Sequence, residues 1–232
     1  MRVLFPLIPL AVCLAVRPQM LPAQSPYETS ADFARFALRV RALGEAKKGA
    51  EASQSAATAR TGKYSWRTDI VTTVFWIGEE PTENNPVPNT KSSWDVNWVQ
   101  NYGGIDSPDA ASRKNYLPVT FTPRENPIYC ALPYNDVTHE GTKPEASLVI
   151  PWFKTTFSQD RRSVCKDRWV AIRKGTRVCY AQWEDCGPFR TDHWQYVFGN
   201  ERPKPNLNHG AGLDVSPAVR DFLQLGSTDV TD

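Results

Sequence analysis

Two aspartates stand where a general acid and its partner could act on one substrate. Asp185 follows an apolar strand candidate and opens the turn sequence Asp185-Cys186-Gly187-Pro188-Phe189. Asp214 directly precedes Val215-Ser216-Pro217, which has the form of a helix N-cap followed by a first-turn proline. Two carboxylates at strand ends can face one cleft, and such a pair is the minimum apparatus for acid–base cleavage of a glycosidic bond. The alternative is that each acid only caps backbone N–H groups at its turn.

Aromatic residues suit a saccharide ligand, because a tryptophan offers a flat apolar ring together with a polar N–H. The tryptophans in or beside predicted loops are Trp76, Trp94, Trp98, Trp152 and Trp194. Tyr134, Asn135 and Asp136 add groups that could bond sugar hydroxyls or could simply form a turn. We predict that Trp76, Trp194 and the segment from Tyr134 to Asp136 bind substrate.

The elements that must position these residues are short strands separated by turn formers. Residues 70–77 are rich in β-branched and aromatic side chains and predict a strand that ends at Gly78. Residues 168–173 and 177–183 flank Lys174-Gly175-Thr176 and predict a β-hairpin. A short helix is predicted from Pro217 to Leu225. These elements favour a compact, mainly β barrel with long loops and a few short helices.

The hairpin register bears on the cysteines. If Lys174-Gly175 forms the turn, Cys165 lies across from Glu184 and diagonally near Cys186 on the same face, which predicts a Cys165–Cys186 disulfide. Cys179 falls on the other face, where its remaining partner would be Cys130. The alternative is that Cys130 and Cys179 are buried thiols.

The N-terminus has the pattern of a secretory signal peptide. Residues 1–23 join a positive start to an apolar run that is shorter than the roughly 20 residues of a membrane-spanning helix, with a plausible cleavage site after Ala23. A lipoprotein signal processed at Cys13 is the alternative. We expect a secreted or periplasmic protein, with a helix and tether over residues 24–66 and the main domain over residues 67–232.

Removal of this leader changes the charge and the cysteine count. The full chain of 232 residues has a formal net charge of +2, and the leader carries two arginines and no acid, so the mature chain is neutral. Nucleic-acid binding depends on a basic surface, so nucleic acid is not an expected partner. Four cysteines remain of five, an even number that is compatible with disulfides in an exported protein. The histidines and cysteines show no zinc-ligand spacing, and no metal is predicted.

Four short motifs together resemble the rare lipoprotein A family. Asp185-Cys186-Gly187-Pro188-Phe189 is similar to its Asp-Arg-Gly-Pro-Phe signature, and the segment from Leu213 to Ala218 is similar to the Asp-Leu-Ser segment that follows. The segments 129–134 and 75–79 resemble the family's earlier Leu-Pro-Phe and Trp-Tyr-Gly stretches. The resemblance spans about residues 72–225 and implies a six-stranded double-psi β-barrel, the fold shared with expansins and barwin-like proteins.

This resemblance implies a function in cell-wall polysaccharide cleavage or binding, without a cofactor. Asp185 and Asp214 take the positions of the family's acids, and Glu79 lies in its opening strand motif as a further substrate-binding candidate. The family's histidine is replaced by Tyr129, and His209 is the candidate to stand in for it. The implied activity is lytic transglycosylase-like or glycoside hydrolase-like cleavage of peptidoglycan or a cellulose-like glycan by a monomer.

Physical arguments give the two acids different roles. Asp214 precedes a helix start, where free N–H groups favour an anion, so it is predicted to stabilise positive charge on the sugar ring. Asp185, between Trp183 and Phe189, is predicted to be the protonated acid, and the opposite assignment stays open.

Two rival functions are considered. The first is a non-catalytic, expansin-like module that binds or loosens polysaccharide, which the missing histidine favours. The second is a cell-wall cysteine peptidase, because Asp185-Cys186-Gly187 followed by His209-Gly210 resembles its Asp-Cys and His motifs. Such a nucleophile normally opens a helix, whereas Cys186 is predicted to end a strand.

Overall fold

The fold is described from a computed structural model, which covers residues 65–82 and 85–232. The ten strands of these residues are, in chain order, β1 (Ile70–Val74), β2 (Arg113–Lys114), β3 (Leu117–Pro118), β4 (Tyr129–Leu132), β5 (Val137–Thr138), β6 (Gly141–Thr142), β7 (Arg168–Lys174), β8 (Arg177–Cys186), β9 (Leu213–Val215) and β10 (Thr228–Thr231). Six of them form one curled sheet in the order β10-β1-β9-β4-β8-β7, a half-barrel. The protein is therefore mainly β, as the sequence predicts.

Short helices connect the strands within the described residues. They are α1 (Trp98–Tyr102), α2 (Ala146–Val149), α3 (Phe153–Thr156), α4 (Trp194–Val197) and α5 (Pro217–Leu223), with a 3-10 turn at Ala110–Ser112. Helix α5 begins as predicted, because the Ser216 hydroxyl accepts the N–H of Val219 and a proline opens the helix. It ends at the left-handed Gln224, two residues before Gly226.

The main sheet mixes parallel and antiparallel pairs. Strand β9 is parallel to β1 and antiparallel to β4, and β4 is parallel to β8. At the two edges of the sheet, the backbones of Arg173 and Asp232 exchange hydrogen bonds of 2.8 and 2.9 Å. The edge strand β7 therefore contacts the chain immediately after β10, and the curled sheet brings its own edges together at this point.

The hairpin of β7 and β8 forms with a register two residues from the predicted one. Lys174 pairs with Arg177, so the turn is Gly175-Thr176 and not Lys174-Gly175. Gly175 has a φ of +58°, a conformation that glycine adopts without steric cost and that fixes the turn at this position. A shift of two residues keeps the paired side chains on the same face. The predicted separation of Cys165 from Cys179 is nevertheless wrong, because both belong to the same buried apolar cluster.

Two apolar clusters lie on opposite faces of the sheet. The inner cluster includes Ile70, Cys130, Ile172, Cys179, Trp183, Leu213 and Val215. The outer cluster consists of Phe75, Ile77, Trp98, Tyr102, Tyr129 and Ala131. The long segment between β1 and β4, through α1, therefore covers part of the outer face.

A buried polar network attaches this covering segment to the sheet. The Tyr129 hydroxyl accepts the Ile77 N–H at 3.0 Å and lies 3.0 Å from the Asp106 carboxylate, to which it donates. Arg113 reaches both Asp106 and Asp221, and its guanidinium is almost wholly buried. Tyr129 is thus a structural residue of the core.

Predictions for the N-terminus fall outside the described residues. These are the leader over residues 1–23, with Cys13 and Ala23, and nearly all of the helix and tether over residues 24–66. Within the part of the chain that the structure describes, no helix is long and apolar enough to cross a membrane.

Candidate functional site

Asp214 and Asp185 lie in one row of paired residues on the outer face of the sheet. We call this row, which runs from Thr73 through Asp214 and Ala131 to Asp185, the acid row. In the register of the strands, Thr73 pairs with Asp214, Asp214 with Ala131, and Ala131 with Asp185. Residues paired in this way point to the same face of a sheet, and two strand spacings put the aspartate α-carbons about 10 Å apart. The structure therefore brings the two predicted acids to one face of the sheet, with an alanine between them.

A β-bulge turns Asp185 to this face. Cys130 pairs with Trp183, and the next residue of β4, Ala131, pairs with Asp185, so Glu184 is an extra residue in β8. Trp183 points into the inner core, and regular alternation would send Asp185 to the same side. The extra residue reverses this alternation, in keeping with the use of bulges to redirect side chains beside functional sites.

Asp185 is a buried carboxylate held by backbone donors. Its Oδ1 accepts the N–H groups of Ser93 and Cys186, both at 2.7 Å. Burial raises the pKa of Asp185 to about 6, although these donors favour the charged form and limit the rise. The acid is therefore poised to titrate just below neutral pH.

Asp214 is half-buried and accepts a hydrogen bond from the Thr73 hydroxyl. Burial raises the pKa of Asp214 to about 7, and the neighbouring charges of Glu79 and Asp185 raise it further, whereas the Thr73 bond opposes the rise. At the start of α5, the Val219 N–H bonds the Ser216 hydroxyl, and none of the described hydrogen bonds joins an N–H group of this helix to Asp214. These pKa values, about 7 for Asp214 and about 6 for Asp185, favour the opposite assignment of the two acids, which the sequence leaves open.

Glu79 is a third carboxylate of the site. Its side chain is buried and accepts a bond of 2.7 Å from the Asn89 amide. Burial is the largest influence on Glu79 and raises its pKa, and its charge in turn raises that of Asp214. Glu79 therefore acts on the electrostatics of the acid pair, whereas the sequence predicts only substrate contact.

Two small residues, Ala131 and Gly187, border the aspartates. A methyl group placed on Gly187 would lie 3.4 Å from Asp214 Oδ2 and 3.9 Å from the Ala131 Cβ. Gly187 therefore borders Asp214 directly at the end of β8. Ala131 and Gly187 are both buried, so this side of Asp214 is enclosed by protein.

The predicted binding segment from Tyr134 to Asp136 has mainly structural contacts. Tyr134 is fully buried in the inner cluster. The Asn135 side-chain oxygen accepts the Trp94 indole N–H at 2.8 Å and the Val137 N–H at 3.0 Å. Asp136, also fully buried, accepts bonds from the Ser163 hydroxyl and the Val164 N–H. These polar groups serve loop packing in the structure.

The other predicted binding residues are dispersed. Trp76 is half-buried, and its carbonyl accepts the N–H of the site residue Glu79 at 3.0 Å. Trp194 opens α4 and packs against the inner cluster. His209 is exposed on a distant stretch of chain, and none of the described contacts joins it to either aspartate. Of this group, only Trp76 has a described contact with a residue of the site, through this backbone bond to Glu79.

Two other candidate tryptophan platforms are engaged elsewhere. Trp98 is buried in the outer cluster, and the Trp152 indole donates to the Val164 carbonyl at 2.7 Å. Trp94 is half-buried and meets Trp183 edge-to-face, with ring centroids 5.8 Å apart. The Trp94 ring therefore packs against the inner cluster, although its neighbour Ser93 bonds Asp185.

The predicted Cys165–Cys186 disulfide is not formed in the structure, in which both residues are thiols. The Cys186 thiol donates to the Tyr134 carbonyl at 3.2 Å, and this contact occupies its hydrogen-bonding proton. No bridge joins Cys130 to Cys179 either. Burial raises the pKa of the Cys186 thiol well above its usual value, which disfavours the thiolate that a cysteine peptidase requires.

Three residues that complete the site are not identified by the sequence. Thr73 bonds Asp214, Asn89 bonds Glu79, and Ser93 bonds Asp185. Thr73 lies in the strand that the sequence predicts, but its partner is brought in by the parallel pairing of β1 with β9. Asn89 and Ser93 belong to a loop without a recognisable motif, so no local signal distinguishes them.

Further searches add no relationship or metal site. Among residues 65–82 and 85–232, no group of three or more His, Cys, Asp or Glu side chains is arranged to hold a metal ion. No model of a known protein family, no curated protein and no solved structure matches this chain. The functional argument therefore depends on the residues of the site.

Proposed function

We propose that this protein cleaves glycosidic bonds of cell-wall polysaccharide by carboxylate acid–base catalysis. The observation that carries the proposal is the row in which Asp214 and Asp185 share one face, with pKa values raised to about 7 and about 6. Glycosidic cleavage needs one protonated and one ionised carboxyl group, and different environments provide that difference.

The roles follow from the order of the pKa values. Asp214, which keeps its proton to higher pH, donates it to the departing glycosidic oxygen as the bond to the anomeric carbon breaks. Asp185, ionised earlier, stabilises the positive charge that develops on the sugar ring. It then accepts the proton of the attacking hydroxyl, either from water in hydrolysis or from the sugar's own 6-hydroxyl in lytic cleavage.

We further propose that the fold is a six-stranded double-psi β-barrel of the rare lipoprotein A type. The mixed pairing of the sheet and the contact between its edges at Arg173 and Asp232 support this proposal. An exported monomer cleaved near Ala23 and acting on peptidoglycan or a cellulose-like glycan fits the same proposal. Its support is the sequence resemblance and the leader pattern.

One observation favours a second candidate function, a non-catalytic expansin-like module. Tyr129, at the position of the family's histidine, is fully buried, and its hydroxyl is committed to Ile77 and Asp106. The site therefore has no third proton-transfer group at that position. A protein with this site could bind and loosen glycan without breaking it.

Turnover on defined polymers separates these functions. Wild type and Asp214→Asn are incubated with purified peptidoglycan and with cellulose, and the products are analysed by mass spectrometry. Asp109→Asn is the control, because Asp109 caps an exposed 3-10 turn that asparagine caps equally well. We expect 1,6-anhydro sugars or new reducing ends from wild type and control, and none from Asp214→Asn. If wild type binds a polymer but releases nothing from either, the binding module is the correct function.

A further inference from the structure

Two consecutive acids of β8, Glu184 and Asp185, could each occupy the position opposite Ala131, and the bulge decides which of them does. In the structure, Asp185 pairs with Ala131 and Glu184 is the extra residue. Without the bulge, Glu184 would pair with Ala131, and Asp185 would turn toward the inner face, because a one-residue slip reverses every side chain that follows. The register at this point therefore decides which carboxylate faces Asp214.

Glu184 is held away from the row by an ion pair. Its Oε2 lies 2.8 Å from the Lys166 ammonium, and the Glu184 side chain is only 7% exposed. Lys166 belongs to the loop before β7. The backbone N–H of Lys166 donates to the Ser163 hydroxyl at 3.1 Å, and this bond anchors the loop. The pair thus ties the extra residue to a fixed point outside the acid row.

A second contact spans the bulge from the inner side. The buried Trp183 indole donates to the Asp185 carbonyl at 2.8 Å. This bond fixes the backbone on one side of Glu184, while the ion pair fixes its side chain. Replacing Trp183 would damage the inner core, so the ion pair is the restraint that can be tested separately.

We propose that Lys166 and Glu184 are positioning residues that select the bulged register and so present Asp185, and not Glu184, to the substrate. This inference rests on the proposed function for its effect on catalysis, but its structural part stands without it. Glu184 is buried while the Lys166 side chain is 27% exposed, so desolvation of the carboxylate offsets much of the attraction between the two charges, and the pair is a poor source of stability by itself. Selection between two registers is a use that fits the location of the pair.

Lys166→Met removes the ion pair and leaves Glu184 free to enter the row. We expect kcat to fall about 100-fold, the scale that accompanies a misplacement of about 1 Å, while glycan binding stays unchanged. The exchange Lys166→Glu with Glu184→Lys should recover much of the lost activity. Lys174→Met is the matched control, because it removes the Lys174–Asp229 pair at the other end of the same hairpin.

A structural readout separates this proposal from the proposed function. The amide protons of Ser93 and Cys186 both bond Asp185, so in wild type their NMR shifts should titrate together near pH 6. We expect Lys166→Met to abolish the titration at Ser93 and Lys174→Met to retain it. All samples are kept below their measured unfolding temperatures.

The outcomes are distinct. If Lys166→Met keeps both the Ser93 titration and the activity of the Lys174→Met control, the positioning role is wrong and the pair is merely structural. If wild type has no turnover on any glycan, the proposed function fails, and the Ser93 titration alone decides the register proposal.

Discussion

At the scale of single residues, burial governs the chemistry of this site. Asp214 and Asp185 carry pKa values of about 7 and about 6 because they leave water, and hydrogen-bond donors only limit the rise. The donors differ in kind, since Asp185 accepts two backbone N–H groups and Asp214 accepts one hydroxyl. That difference gives the two carboxyl groups different affinities for a proton.

The raised pKa of Asp214 has a consequence for stability. An unfolded aspartate has a pKa of about 3.9, so between that value and about 7 the folded state holds a proton that the unfolded state releases. The contribution of Asp214 is therefore most favourable at low pH and is lost as the pH rises through this window. We expect Asp214→Asn to raise the unfolding temperature increasingly from pH 5 to pH 8. Thermal unfolding followed by circular dichroism measures this, and a difference that does not change with pH would refute the assignment.

Gly187 tests how closely Asp214 is enclosed. Gly187→Ala places a methyl group in contact with the Asp214 carboxylate, 3.4 Å from Oδ2. We expect the pKa of Asp214 to rise further, because less water reaches the charged form. Carboxyl NMR titration of the variant measures the shift, with Gly175→Asn as a control at a distant turn. An unchanged pKa would mean that Asp214 points away from Gly187.

At the scale of elements, the covering segment between β1 and β4 is as important as the strands. It supplies Asn89 and Ser93 to the acids and α1 to the outer cluster. Its attachment to the sheet passes through the Tyr129 hydroxyl, which joins Ile77 and Asp106. The element that covers the outer face therefore also fixes the donors of the site.

Tyr129→Phe tests this structural role. The change removes a buried hydroxyl and leaves the Ile77 N–H and the Asp106 carboxylate without it, a loss of about 1–3 kcal/mol of unfolding free energy. We expect that loss in urea unfolding, with kcat on glycan largely retained. Tyr180→Phe, on the half-buried face of β8, is the control. A large fall in kcat without loss of stability would instead make Tyr129 part of the chemistry.

The sequence predicts the individual strands and helices better than the way in which they pair with one another. The strand at Ile70, the β7–β8 hairpin and the start of α5 are confirmed, because turn formers, alternation and a capping serine are local signals. The bulge at Glu184 is not predicted, since it arises where β8 pairs with β4, some fifty residues away in the chain. The raised pKa values of the two acids also escape prediction, because they depend on burial and on donors such as Ser93 from a distant loop.

At the scale of the whole molecule, the sheet separates structure from chemistry. Its inner face holds the larger apolar cluster, and its outer face carries the acid row beside the covering segment. Parallel pairing of β1 with β9 brings Thr73 to Asp214, and parallel pairing of β4 with β8 brings Ala131 to Asp185. The residues of the acid row therefore come from segments that are far apart in sequence. The site exists only when the sheet is assembled.

The most direct test of the central claim is the pH dependence of glycan cleavage. Asp185 must be ionised and Asp214 protonated, so kcat/KM should follow a bell-shaped curve with its maximum between about pH 6 and pH 7. Asp185→Asn and Asp214→Asn should each abolish that curve. Turnover that persists in both variants, or a profile that neither substitution alters, would contradict the claim that these two carboxyl groups perform the reaction.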